Sequence, residues 1–263
     1  MSKRRLDSLL VERGLFDSRS SAAAAVLAGA VRIGSDGRSA AKPGQMVRDD
    51  VELAVHEAPP FVSRGGIKLA NALDRIGIDP EGRRCLDVGA STGGFTDCLL
   101  KRGAVHVVAL DVAYGELDWG LRNDPRVNVI ERANARELEP RILPYAPELA
   151  VVDVSFISLL KVLPPVLEAC AAEFDCLALV KPQFEVGRER VGKGGVVRSA
   201  EARRDALVSV GRAMTDAGWS VLGFASSELP GPAGNRESFV WLAEPNRGGS
   251  VPEIEAAVLE VEP

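Results

Sequence analysis

The sequence predicts an α/β protein: a mostly parallel, doubly wound sheet of seven strands, preceded by a small α+β module. Three observations carry this expectation. Short apolar runs of strand length alternate with amphipathic helical segments through the last three quarters of the chain. The turn after the first of those runs is rich in glycine, at Gly89, Gly93 and Gly94. A helix–helix–strand pattern comes before them and ends at a proline-rich boundary, Ala58-Pro59-Pro60.

Taken in order, Leu6, Leu9, Leu10 and Val11 make one apolar face of a short helix over 5–13, ended near Gly14. Ser18 is an N-cap candidate for an alanine-rich second helix from Arg19 to Ala28, closed by Gly29. Residues 31–33 and 51–55 read as strands, with a turn at Ser35-Asp36-Gly37. This gives a module over 1–57, a linker over 58–63 and a main domain over 64–263. In the main domain a helix around 67–76 comes first. Strands are expected at 84–89, 106–111, 127–131, 149–153, 175–180, 219–225 and 238–243, and helices at 95–102, 116–122, 158–173 and 200–217, with a short helix in the tail 251–261.

Charge and composition restrict the function classes. The chain has 32 Lys+Arg against 37 Asp+Glu, a formal net charge of −5, so any nucleic-acid contact must rest on local distribution. That distribution is uneven: up to Lys42 the count is eight basic and four acidic residues, +4, leaving −9 for the remainder. Four cysteines without a C-x-x-C pair and two histidines argue against a zinc site and fit a reducing, cytoplasmic setting. No apolar run follows the basic N-terminus as in a signal peptide. The most apolar stretch, 149–172, is broken by charges and prolines, so no membrane partner is expected.

The glycine turn spans Leu86-Asp87-Val88-Gly89-Ala90-Ser91-Thr92-Gly93-Gly94-Phe95-Thr96. It lacks the dinucleotide G-x-G-x-x-G spacing and lacks a P-loop lysine. Asp111 ends the second strand, where an acid accepts the ribose hydroxyls of an adenosine, and Asn134 follows the third, within reach of an adenine. Together they point to an adenosine-containing cofactor.

Four charged residues fall at comparable places. Lys68 lies in the helix before the sheet, Asp153 ends the fourth strand, Lys181 ends the fifth, and Glu237 precedes the last. A ribose hydroxyl is a very weak acid and needs a general base to become a nucleophile. A lysine serves when a second cation and partial burial favour its neutral form, and carboxylates orient it. Either lysine fits that role, and no metal is required.

These segments resemble the ribose 2′-O-methyltransferases of the heat-shock (FtsJ-like) kind, whose site is a Lys-Asp-Lys-Glu tetrad, and more closely the TlyA group, once named haemolysin A. The resemblance lies in Ser63-Arg64-Gly65-Gly66-Ile67-Lys68-Leu69, the 87–97 loop, Asp153-Val154-Ser155-Phe156-Ile157-Ser158-Leu159, Lys181-Pro182-Gln183-Phe184-Glu185, Gly192-Lys193-Gly194-Gly195-Val196-Val197-Arg198 and Gly231-Pro232-Ala233-Gly234-Asn235-Arg236-Glu237. It implies a Rossmann-like methyltransferase fold, S-adenosylmethionine as donor and ribosomal RNA within ribosomal subunits as partner. Lys68, Asp153, Lys181 and Glu237 then form the catalytic set. Asp87, Gly89, Ser91, Thr92, Gly93, Gly94, Phe95, Asp111 and Asn134 form the cofactor set. The first 56 residues resemble the RNA-binding domain of ribosomal protein S-four, through Arg5-Leu6-Asp7, Gly14-Leu15, Ser18-Arg19 and Gly29-Ala30-Val31-Arg32. The candidate RNA contacts are Arg4, Arg5, Arg19, Lys42 and Arg64, with Lys193 and Arg198 as phosphate clamps. Two other readings stay open: a non-catalytic RNA-binding assembly factor on a methyltransferase fold, and a membrane-lytic protein.

Overall fold

A computed structural model describes residues 3–27, 30–35, 37–40, 42–55 and 60–262. Gly29, Asp36, Ala58 and Pro59, to which the sequence assigns a helix stop, a turn and a linker, lie outside the described residues. The chain divides into two units, Met1–Val62 and Ser63–Pro263.

In the first unit β1 (Lys3–Arg5) leads directly into α1 (Leu6–Glu12), which buries Leu6, Leu9 and Leu10 at helical spacing. Gly14 ends the turn with φ +70°. α2 (Arg19–Leu27) follows, and the Ser21 N–H donates to Ser18 Oγ at 3.1 Å, as an N-cap requires. β2 (Val31–Ile33) pairs antiparallel with β3 (Arg38–Ser39) and, across the strand, β5 (Leu53–Val55). β4 (Met46–Arg48) pairs with β1. The β1–β4 ladder is absent from the sequence expectation because Lys3-Arg4-Arg5 carries no apolar alternation. Val26, Val31 and Val47 complete the small core with α1.

The second unit opens with α3 (Arg64–Ile76), ended by Gly77 at φ +83°. β6 (Arg84–Val88), α4 (Gly94–Lys101), β7 (His106–Leu110), α5 (Trp119–Arg122) and β8 (Val127–Ile130) build one half of the sheet. The chain then returns to β9 (Leu149–Val152), α6 (Leu163–Glu168), β10 (Asp175–Val180), α7 (Pro182–Glu185), α8 (Ala200–Asp216), β11 (Ser220–Ser226), β12 (Ser238–Ala243) and α9 (Ile254–Val261). The strand order is β11-β12-β10-β9-β6-β7-β8, with β12 antiparallel to both neighbours and the other ladders parallel. Leu86, Val88, Val108, Val152, Cys176 and Val240 are fully buried between the helical layers. The four cysteines are free, and burial pushes the Cys85 thiol up to about 12, which makes it inert packing.

Two helices differ from the sequence pattern. The continuous helix expected at 158–173 is a 3₁₀ turn at Leu159–Lys161 followed by α6, with Pro164 and Pro165 in the first turn. Proline has no N–H to donate and is tolerated only there. α5 starts at 119 rather than 116 because the Asp118 carboxylate accepts from the Gly120 and Leu121 N–H groups at 2.8 and 3.3 Å.

The sheet topology locates the site. From β6 the chain steps outward to β7 and β8, then crosses back to β9 on the other side of β6. The carboxyl ends of β6 and β9 therefore flank the switch point, where open α/β sheets leave a crevice for ligand.

Candidate active site

The glycine turn joins β6 to α4 at this crevice. Gly89 has φ +84°, and a Cβ there would stand 2.3 Å from the Asp153 carbonyl oxygen. Gly94 is confined by α3: a Cβ would meet Ser63 Oγ at 2.1 Å and the Gly66 nitrogen at 2.9 Å. Only a glycine lets the start of α4 close on the start of α3, which carries Arg64 and Lys68. Phe95 is buried against Phe239, ring centroids 5.9 Å apart.

Asp87 is fully buried beneath this turn. Its Oδ2 accepts from the Thr96 N–H at 2.9 Å and the Thr96 hydroxyl at 2.7 Å, while Oδ1 is buried without a partner. Burial pushes this carboxyl up to about 7, and the Thr96 hydrogen bonds offset only part of that. Asp111, just past β7, accepts from the Ser91 N–H at 2.7 Å and the Ala113 N–H at 2.8 Å. It lines a small recess with Ala90, Ser91 and Leu117. Asn134 is placed otherwise than expected. It is exposed, caps a 3₁₀ turn by accepting from the Arg136 N–H at 3.1 Å, and lines neither this recess nor the main cavity. The cap forms because an Asn side chain satisfies a turn two residues ahead.

The four charged residues converge on one cavity of about 650 Å³, also lined by Gly89, Ser91, Thr92, Gly94 and Phe95. Sheet register explains the convergence. Asp153 and Lys181 leave the parallel neighbours β9 and β10. Val180 pairs with Ser238 across the antiparallel β10–β12 ladder, so Lys181 and Glu237 stand one step beyond at the same edge. Lys68 Nζ lies 2.5 Å from Glu237 Oε2, with side chains 8% and 1% exposed. Lys181 Nζ lies 2.5 Å from Asp153 Oδ1, an ion pair at 12% and 24% exposure, and donates to Ser155 Oγ at 2.8 Å. Both pairs line the cavity, the Lys68–Glu237 pair nearly buried and the Lys181–Asp153 pair more open to it. Gly231 backs Glu237: a Cβ at 231 would come within 2.2 Å of Oε1.

Several residues in this cavity are not singled out by sequence. Ser155 binds Lys181, and Phe156 next to it is 91% exposed with φ +64°. The Phe156 ring meets Phe184 at 5.3 Å between centroids. Glu185 ties the two segments, accepting from the Ser158 hydroxyl at 2.7 Å and the Leu159 N–H at 2.8 Å; its burial raises the carboxyl above the ordinary value. A large aromatic in a polar strand-end loop is the one signal sequence offered for Phe156.

The basic candidates are scattered. Arg64 lines the cavity and donates to the Pro230 carbonyl at 3.0 Å. Lys193 is exposed beside Gly194 and Gly195, which line the cavity. Arg198 opens onto a separate recess of about 310 Å³ with Arg203 and Arg236. In the first unit Lys42 is exposed, but Arg4 pairs with Glu12 and Asp49, and both Arg5 and Arg19 reach the buried Asp7 carboxylate, at 2.6 and 3.4 Å. The whole unit Met1–Val62 holds nine basic and eight acidic residues, so the +4 up to Lys42 shrinks to +1. Three of the four N-terminal cations thus hold acids in place. Among the described residues no cluster of metal-ligating side chains occurs and no helix is long and apolar enough to cross a membrane.

Comparison with known proteins fits this geometry. The sequence profile of the FtsJ-like methyltransferases matches residues 61–244. A 16S/23S rRNA (cytidine-2′-O)-methyltransferase TlyA of Mycobacterium tuberculosis is 49% identical, covering 97% of this chain and 95% of its own. A solved structure from Streptococcus thermophilus, described as that of a hemolysin, superposes with a TM-score of 0.74 at 39% identity, over 99% of this chain and 96% of its own. Aeropyrum pernix fibrillarin, solved with S-adenosyl-L-methionine, shares the fold alone: TM-score 0.50 and 17% identity, over 68% of this chain and 76% of its own.

Proposed function

Because the chain belongs to the FtsJ-like methyltransferase family, in its TlyA group, we propose that it methylates a ribose 2′-hydroxyl of ribosomal RNA with S-adenosylmethionine as donor. The observation that carries this reading is the meeting of two lysine–carboxylate pairs in the cavity that the glycine turn lines.

The residues present suit S-adenosylmethionine. Gly89 and Gly94 line the cavity and let the turn pack against Asp153 and α3, Asp111 turns a carboxylate toward a recess beside the turn, and Asp87 keeps an unpaired buried oxygen below. In this reading Asp111 meets the ribose, while Gly89, Ser91, Thr92, Gly93 and Gly94 hold the rest, with Phe95 and Asp87 supporting the turn. When bound, the donor supplies an electrophilic methyl group on a sulfonium centre.

The chain's own residues then do three things. The nearly buried Lys68–Glu237 pair fixes one wall, so that the target ribose enters in one orientation. Asp153 and Ser155 hold Lys181 Nζ at the open side. In this reading Lys181, held beside Asp153 and Ser155, takes the 2′-hydroxyl proton, and the donor, when bound, would supply the methyl group to that oxygen. Lys181 rather than Lys68 has this role because its ion pair is the more exposed of the two to the cavity.

The module over 1–57, the linker over 58–63 and the catalytic domain over 64–263 divide the work in this reading: the first holds structured RNA by shape and phosphate, the last transfers the methyl. Arg64, Lys193 and Arg198 contact phosphate near the target, and Lys42 does so from the first unit. The test is a methyl-transfer assay on ribosomal subunits with labelled donor, followed by mapping of the 2′-O-methylated nucleotide. Label in a base, or none in RNA, counts against the reading.

A further inference from the structure

Asn235 is 1% exposed and lies two residues before Glu237, yet it makes no contact with the four charged residues among its hydrogen bonds. It uses three polar groups at once. Its Oδ1 accepts from the Val197 N–H at 2.8 Å, its Nδ2 donates to the Gly195 carbonyl at 2.8 Å, and its own carbonyl accepts from the Gly231 N–H at 2.8 Å. The last bond closes the 231–235 turn that backs the Glu237 carboxylate. The first two reach 38 and 40 residues along the chain into the 192–197 loop.

The loop's end is also held at Val197, whose side chain is buried and whose carbonyl accepts from Arg203 at 3.3 Å. The loop closes on itself through Gly192 N–H to the Val196 carbonyl and Gly195 N–H to the Gly192 carbonyl, both 3.0 Å. Gly194 and Gly195 have φ +80° and +76°, and a Cβ at either would meet nothing within 4 Å. Both line the main cavity, and Lys193 stands exposed beside them. A primary amide answers a backbone donor and a backbone acceptor together, each through its own atom. If the loop swung away, that amide would lose both partners at once, which disfavours the open position.

We propose that Asn235 is a positioning residue that locks the 192–197 loop over the cavity and joins the loop's closed position to the placement of Glu237. RNA phosphate meeting Lys193 then bears on the same amide that fixes the 231–237 turn, so docking of substrate and setting of the Lys68–Glu237 pair are coupled. The second clause rests on the methyl-transfer reading above; the lock itself does not.

The experiment compares wild type with Asn235→Ala, full chain in both. A lysine-specific protease reads the loop at Lys193, with the exposed Lys101 and Lys161 as internal references. Cleavage at Lys193 is expected to rise while the reference sites and S-adenosylmethionine affinity stay as in wild type. In steady-state methylation of ribosomal subunits, KM for RNA rises and kcat falls, together lowering kcat/KM by about tenfold or more, since two buried hydrogen bonds are lost. Unchanged cleavage at Lys193 overturns the lock. A rise in step at Lys101 and Lys161, or loss of donor binding, overturns it too, because Asn235 would then serve the fold as a whole. Faster cleavage at Lys193 with unchanged kinetics overturns the coupling. If wild type methylates no RNA, the methyl-transfer reading fails while the protease comparison still decides the lock.

Discussion

The α-carbon of Gly89 lies against the carbonyl of Asp153, so close that a Cβ at 89 would stand 2.3 Å from that oxygen. The glycine turn after β6 and Asp153 after β9 are thereby fitted to each other at the switch point of the sheet.

Gly89→Ala follows from that contact. The new methyl must displace the Asp153 backbone while residue 89 keeps φ +84°, a conformation that costs an L-residue about 1–2 kcal/mol before any clash. The expected result is a chain that still folds, with a lower melting temperature, and has lost S-adenosylmethionine binding by calorimetry. Normal affinity would show that the turn does not carry the donor.

Asp87 gives a pH dependence. Its carboxyl is raised to about 7 by burial, so the folded state holds a proton that the unfolded state releases near 4. Between those values the native chain binds more protons, and this contribution to stability is present at low pH and lost as pH rises toward 7. Asp87→Asn removes the titration, and its amide nitrogen takes the place of the unpaired Oδ1. Denaturation at pH 5, 6 and 7 should show the variant gaining on wild type by on the order of 1 kcal/mol per pH unit. Parallel curves would mean that Asp87 is ionised in the fold.

Phe156 is the third test. Its ring is 91% exposed at the cavity beside Phe184, which suits stacking on an unpaired base. Phe156→Ala should raise KM for RNA by about tenfold, with donor affinity unchanged, since base–aromatic stacking is worth about 1–3 kcal/mol. An unchanged KM would leave the ring without a substrate role.

In the first unit, Arg5 and Lys42 should behave differently. Arg5 holds the Asp7 carboxyl well below the usual range, with Arg19 as a lesser partner, so Arg5→Ala releases a stabilisation that is present at neutral pH and lost in acid. Its mark is a lower melting temperature at pH 7 that converges with wild type as pH falls. Lys42→Ala should leave melting unchanged and lower the salt slope of RNA binding by about 0.7–0.9. The opposite pattern would make Arg5 an RNA contact and Lys42 an ornament of the surface.

Sequence reveals the strands and the residues just beyond them because buried parallel strands are bare apolar runs, and a charge at the end of such a run stands out. Asp153 after Leu149–Val152 and Lys181 after Asp175–Val180 are of this kind. Lys68 and Glu237 carry a weaker signal in the sequence, since α3 and the turn before β12 meet only through tertiary structure. Ser155, Glu185 and Asn235 escape a linear reading because their partners lie 26 to 40 residues away. Asn134 and the N-terminal arginines have local partners that a linear reading does not show: short-range caps and ion pairs engage groups that look available in the sequence.

The most direct measurement is single-turnover methyl transfer to ribosomal subunits by wild type and Lys181→Ala, with the modified nucleotide mapped in each. Removing Lys181 deletes the group held by Asp153 and Ser155 at the open side of the cavity but touches no residue of the glycine turn. The account predicts 2′-O-methylated RNA with wild type, a rate at least about 10²-fold lower with the variant, and equal donor affinity for both. A near-normal rate in Lys181→Ala, or wild-type product methylated on a base, would contradict it.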